Sequence, residues 1–196
     1  MDGRVERPGR HHPFAAGAEA GLPGVCLGLA AYGYGTLTAL LVLYLGDRHI
    51  GGRQMGPAMF AVPFLLSRSA GSPLADRYGG AAVVRVVLLA EAAGLAVLTA
   101  ATSESLALTG VAVTDAGLGL VYPCTTTITL GRVGPLRPGA AVGTMTSCWD
   151  LGILAAGPLG GEIAANLRYR AAIAAALGAL ATAAVLGPRR TLNPAA

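Results

Sequence analysis

Hydrophobic residues make up 54% of the 196-residue chain and charged residues only 12%, with 29 glycines and a mean hydropathy of +0.60, a balance that excludes an ordinary soluble domain and places the chain in a bilayer. The 14 basic residues are all Arg and leave a net charge of only +4 against 10 acids; with no clustered basic face, nucleic acid is excluded as a partner. Cys26, Cys124 and Cys148 lie in separate apolar runs without CxxC spacing, so neither a disulfide framework nor a zinc site is indicated, and no motif calls for a cofactor or metal.

Residues 1–21, with Arg4, Arg7, Arg10, His11, His12 and Pro13, lack apolar periodicity and read as a flexible cytoplasmic tail. The uncharged run from Ala20 to Gly46 covers 27 residues, too long for a signal-peptide core and suited to a first spanning helix. A span needs about 20 apolar residues. Six stretches meet that requirement, at 24–46, 55–75, 81–101, 105–131, 139–163 and 170–187. The breaks between them are short, polar and punctuated by Gly and Pro. The expected class is an all-α membrane protein, with a six-helix transmembrane domain over 22–188 and a short cytoplasmic tail over 189–196.

Six spans return the chain to its starting side, and Arg placement indicates which side that is. With the N-terminus inside, cytoplasmic segments hold nine Arg and the outer loops only four (Arg48, Arg53, Arg168 and Arg170). The expectation is a multi-pass plasma-membrane protein with both termini in the cytoplasm. Leucine and valine in the first span supply roughly −3 to −5 kcal/mol toward insertion, so it should insert alone. The fifth span sets a smaller apolar gain against Asp150, which costs about 2.5–3.5 kcal/mol near a helix centre, so it needs partner helices. Gly139/Gly143 and Gly157/Gly161 offer small-xxx-small faces where such partners could approach.

Acids in hydrocarbon are costly, so Glu91 in the third span, Asp115 in the fourth and Asp150 in the fifth need a reason to be there. One reading is a proton or cation relay, or contact with a substrate. The other is an interhelical hydrogen bond, or an ion pair with Arg68 or Arg85, that fixes the packing. Glu91 leans to the structural reading, whereas Asp115 and Asp150 stand evenly between the two. Enzyme readings fail on their chemistry. The three histidines, His11, His12 and His49, lie outside the spans, leaving an intramembrane serine nucleophile without a base. The VTDAG and CWDLG surroundings of Asp115 and Asp150 are not those of an intramembrane aspartyl protease.

Between the second and third spans the segment Ser72-Pro73-Leu74-Ala75-Asp76-Arg77-Tyr78-Gly79-Gly80 reads as a tight polar turn. It resembles the loop signature G-x-L-A-D-R-x-G-[RK]-[RK] of the major facilitator superfamily (MFS), with Ser72 at the first Gly position and Gly80-Ala81 in place of the basic pair. Asp115-Ala-Gly117-Leu-Gly119-Leu-Val-Tyr122-Pro123 is similar to the Gly-rich, Pro-broken tenth helix of these transporters. The stretches around Arg137 to Gly143 and Cys148 to Gly161 are similar to the eleventh. The latter also approaches the antiporter signature of the fifth helix, with its Gly-Pro displaced by one residue. The resemblance covers about residues 24–188 and points to the second half of an arabinose or sugar-efflux type permease.

The resemblance implies six transmembrane helices forming one half of the transporter fold, as two three-helix repeats. It implies Arg68, Asp76, Arg77 and Gly79 as a cytoplasmic gating loop, with Asp115, Asp150 and Glu91 as candidates for proton coupling or substrate contact. The implied function is transport of a small solute by alternating access, as proton-coupled efflux. The implied partners are the lipid bilayer, a small-molecule substrate and a second six-helix half or a second copy of the chain. The alternative is a transport-inactive fragment, or a structural membrane protein that keeps the scaffold.

Overall fold

The computed structural model describes residues 13–52, 56–133 and 138–187. They form six α-helices: α1 (Pro13–Asp47), α2 (Gly56–Tyr78), α3 (Gly80–Ala100), α4 (Glu104–Val133), α5 (Pro138–Leu167) and α6 (Tyr169–Leu186). There is no strand among the described residues. Four helices (α1 over Gly21–Asp47, α3, α4 and α6) are long and apolar enough to cross a membrane. In α5, Asp150, Pro158 and the many Gly, Ser and Thr residues dilute the apolar content.

Two segment boundaries differ from those expected. The segment 1–21, read as a flexible tail, is helical from Pro13 onward, while residues 1–12 lie outside the described ones. Proline suits the first turn of a helix because its missing N–H has no partner there to lose. The polar turn expected over 76–80 is a single residue. Helix α2 continues to Tyr78, α3 begins at Gly80, and only Gly79 lies between them, at φ 81° and ψ 132°. A helix can carry Asp and Arg in its last turn, so their polarity does not mark where it stops. Positive φ marks the stop, because it is open to Gly at no steric cost.

A matching break occurs one repeat later. Arg168 alone separates α5 from α6, at φ 77° and ψ 158°. The packing repeats in the same way. Helix α1 lies along α5 and α6 and touches α4, while α4 lies along α2 and α3. Exchanging α1 with α4, α2 with α5 and α3 with α6 converts the first set of neighbours into the second. Two three-helix units related by a pseudo-two-fold axis produce this pattern.

Glycines set the closest approaches. A Cβ on Gly28 would come within 2.9 Å of the Cys148 carbonyl oxygen, and one on Gly35 within 2.6 Å of the Ala156 Cβ. Residue numbers rise together along this seam, so α1 and α5 are parallel. Between α3 and α4, a Cβ on Gly94 would lie 2.6 Å from the Thr114 nitrogen, and one on Gly110 2.8 Å from the Leu98 nitrogen. There the numbers run oppositely, so the two helices are antiparallel. Gly139, Gly143, Gly157 and Gly161 meet nothing within 4 Å, so the two pairs expected to draw helices together do not do so within this chain. Their spacing of four puts each pair on one face, but neighbouring helices occupy the face of α5 that carries Gly152 and Gly160 instead.

One end of the bundle is tied by polar contacts. The buried Tyr44 hydroxyl donates to the Leu98 carbonyl at 2.7 Å, and Arg48 Nη2 donates to the Ala101 carbonyl at 3.3 Å. At the other end, Arg85 Nη2 donates to the Gly187 carbonyl at 3.1 Å, satisfying an acceptor at the end of α6. Arg85 therefore serves α6 through this bond, and among the described residues no bond from it to an acid is seen. The core fills with Leu27, Leu37, Leu45, Leu88, Leu95, Leu98, Ile173 and Leu180, all fully buried.

Candidate functional site

Among the described residues Asp115 and Glu91 are the two buried acids, each with 1% of its surface exposed. They come from adjacent antiparallel helices. Thr114 donates to the Gly110 carbonyl at 2.9 Å and reaches the Glu91 carbonyl at 3.5 Å, so α4 passes α3 at this level. The Glu91 side chain lies against Gly117, where an added Cβ would sit 2.5 Å from its Cγ. Glu91 and Asp115 thus sit at the same level of α3 and α4. Both Asp115 carboxyl oxygens and Oε1 of Glu91 are buried without a hydrogen-bond partner among the described residues. An unpartnered buried carboxyl is costly and calls for an explanation.

Asp115 faces a cavity of about 320 Å³ whose other walls are Tyr34 of α1 and Phe60, Ala61, Phe64 and Leu65 of α2. The aromatic wall extends beyond it. Tyr34 contacts Phe60 edge-on at 6.0 Å and stacks on Trp149 of α5 at 6.1 Å, and Trp149 meets Tyr122 of α4 edge-on at 6.2 Å. The Tyr122 hydroxyl and Thr146 Oγ1 lie 3.1 Å apart. Four helices (α1, α2, α4 and α5) thus contribute rings to one aromatic wall, of which Tyr34, Phe60 and Phe64 share the cavity with Asp115. On the far side of the Tyr34–Phe60 pair a second cavity, of about 250 Å³, continues along Thr38, Leu41 and Val42.

The other expected site residues lie elsewhere. Asp150 is exposed on α5 and lines neither cavity, although its neighbour Trp149 is part of the aromatic wall. Arg68 is on the exposed surface of α2, one turn beyond Phe64. Arg77 is exposed at the end of α2 with its guanidinium 5.6 Å over the Tyr78 ring. The side chain of Asp76 lies outside the described residues, and Gly79 is the break itself. The structure thus brings Glu91 and Asp115 together and leaves Asp150 apart.

Sequence reasoning missed Tyr34, Phe60, Phe64, Tyr122 and Trp149. A signal was present. In a chain only 5% aromatic, rings placed within spans instead of at their ends stand out against the usual interfacial belts.

The sequence that folds into this six-helix bundle matches a known family model. The model of the Major Facilitator Superfamily covers residues 24–195. The chain belongs to the major facilitator superfamily. An uncharacterized MFS-type transporter of Salmonella typhimurium is 35% identical over 162 residues, covering 80% of this chain and 42% of that protein. An uncharacterized MFS-type transporter of Burkholderia mallei is 31% identical over 160 residues, covering 79% of this chain and 39% of that protein, and one of Burkholderia pseudomallei gives the same figures. The chain spans about two fifths of the length of these curated relatives. The family is one of membrane transporters and not of enzymes, and no group of three or more metal-ligating side chains occurs among the described residues.

Proposed function

We propose that the chain forms one six-helix half of an MFS permease, with all six helices crossing the plasma membrane and both termini in the cytoplasm. It works with a second half, or with a second copy of itself, to export a small solute by alternating access in exchange for protons. The observation that carries this reading is Asp115: a buried acid with no hydrogen-bond partner among the described residues, facing a cavity at the meeting of α1, α2 and α4. Such an acid can take up or release a proton as the cavity changes access. The parallel α1–α5 seam and the antiparallel α3–α4 seam fit alternating crossings. Nine Arg on one side support the orientation. Within this reading Gly79, Arg77 and Asp76 act at the cytoplasmic gate with Arg68, and Glu91 stands behind Asp115 as its electrostatic neighbour. Asp150 belongs to the surface turned toward the other half.

The test is transport in proteoliposomes carrying a trapped pH dye and an imposed pH gradient, with labelled arabinose and labelled tetraethylammonium as two probe solutes. Gradient-driven movement of either probe, abolished by Asp115→Asn, is the expected result. If neither probe moves and the lumen keeps its pH when the probes are added, the chain is instead a scaffold without transport.

A further inference from the structure

The walls around Asp115 carry information about the ligand that neither the family nor its named relatives supply. A sugar presents several hydroxyls, and each needs a hydrogen-bond partner once it leaves water. The cavity of about 320 Å³ offers the Asp115 carboxyl and the Tyr34 hydroxyl, and the remaining lining is Phe60, Ala61, Phe64 and Leu65. No basic side chain lines it among the described residues. It is therefore poorly suited to a polyhydroxy solute or to an anion.

The same composition suits a different ligand. Aromatic faces attract cations through their ring quadrupoles, and the attraction grows where water is excluded. Tyr34 and Phe60 meet edge-on at 6.0 Å, and Tyr34 is backed by Trp149 at 6.1 Å, so the rings are held in place instead of being left to adapt. Asp115 adds a carboxylate whose two oxygens have no partner among the described residues. A cation bound there would give that acid a counter-charge that the fold does not provide. We propose that the Tyr34–Phe60–Phe64–Asp115 cavity is a binding site for a small organic monocation of the alkylammonium class, held by the aromatic faces and neutralised by Asp115. Phe60, Phe64 and Leu65 accept the alkyl groups of such an ion at no hydrogen-bonding cost, and the second cavity beyond the Tyr34–Phe60 pair gives longer substituents room.

The inference rests on the transport reading only in taking this cavity as the solute site, and it is tested by equilibrium binding without transport. Trp149 is the sole tryptophan and stacks on a wall residue, so its emission reports occupancy. The full chain in nanodiscs is titrated with tetraethylammonium, with its neutral counterpart triethylmethanol and with arabinose, and empty nanodiscs are subtracted. The expected result is a saturable change with tetraethylammonium alone. Asp115→Asn should weaken it at least about tenfold, Tyr34→Leu and Phe60→Leu should each weaken it severalfold, and Glu162→Gln, at the exposed end of α5, should leave it unchanged. If Asp115→Asn fails to fold, the two aromatic variants still decide the matter. No saturable change, equal binding of triethylmethanol, arabinose binding in place of the cation, or full affinity in the Tyr34→Leu and Phe60→Leu variants would overturn the proposal. Gradient-driven arabinose movement without tetraethylammonium binding removes this inference and leaves the transport reading intact. Binding without movement of either probe removes transport and leaves the site.

Discussion

Replacing Arg168 by Gly and Gly79 by Ala should move stability in opposite directions, although each change touches a single residue between two helices. Arg168 holds φ 77° and ψ 158°, a region essentially reserved for Gly, which costs another residue about 1–3 kcal/mol. Arg168→Gly relieves that cost and gives back roughly 0.5–1 kcal/mol through the greater freedom of Gly in the unfolded chain, for a net gain of roughly 0.5–2 kcal/mol. At Gly79 the geometry is equivalent, φ 81° and ψ 132°, and an added Cβ would meet nothing within 4 Å. Space therefore plays no part there and the backbone alone decides. Gly79→Ala should lose about 1–3 kcal/mol to that backbone region and regain about 0.4–1 from the unfolded state, for a net loss of roughly 0.5–2 kcal/mol. Gly178 in α6 also meets nothing within 4 Å and lies in regular helix, so Gly178→Ala serves as the control and should gain about 0.5–1 kcal/mol. Reversible unfolding in mixed micelles, followed by far-UV circular dichroism, measures all three. Arg168→Gly less stable than the unsubstituted chain, or Gly79→Ala as stable as Gly178→Ala, would refute the account of the two breaks as one repeated device.

At Gly94 the reason for glycine is space and not φ: a Cβ there would press on the Thr114 nitrogen and the Gly110 carbonyl, so Gly94→Ala should cost about 1–3 kcal/mol by forcing α3 and α4 apart, read in the same unfolding assay. Tyr44→Phe removes a buried 2.7 Å hydrogen bond to Leu98 and should cost about 0.5–1.5 kcal/mol; a loss no larger than experimental error would show that the bond is not stabilising. A double-mutant cycle on Tyr122→Phe and Thr146→Val should return a coupling of about 0.5–1.5 kcal/mol for the hydroxyl pair joining α4 to α5, and additive losses would deny the contact. With the native cysteines replaced, single cysteines at Gly79 and Ser103, which flank α3, should label from opposite faces of the membrane. Labelling from the same face would contradict a crossing α3.

Composition alone established the bilayer as solvent, because a chain so apolar and so poorly charged cannot be covered by water. Helix existence was equally legible, since a long apolar run in lipid must satisfy its backbone internally and a helix does so within its own segment. Helix ends were less so. The polar segment ending in Asp76-Arg77 suggested a loop, yet a helix tolerates those side chains and stops only at Gly79. Arg168 gave no sign of its role because nothing in an Arg side chain announces positive φ. The loop motif and the Gly-rich fourth and fifth helices carried the family, while the direction of each glycine face did not follow from spacing. Gly157 and Gly161 look as apt for packing as Gly152 and Gly160, and only the arrangement of α1 against α5 chose the latter pair.

The candidate site divides in the same way. Glu91 and Asp115 could be picked out singly, because an acid within an apolar run is expensive wherever it points. That these two are buried at one level of the bundle and Asp150 is exposed depends on helix rotation, a property of packing between segments. The aromatic wall is wholly a tertiary feature. Tyr34, Phe60, Tyr122 and Trp149 lie on four helices and become one surface only when α1, α2, α4 and α5 converge. The sequence by itself determined the solvent, the helices and the family, since these follow from the chemistry of local segments. Which acid faces a cavity, and what lines that cavity, was decided only by the fold, because they depend on how distant segments rotate against one another.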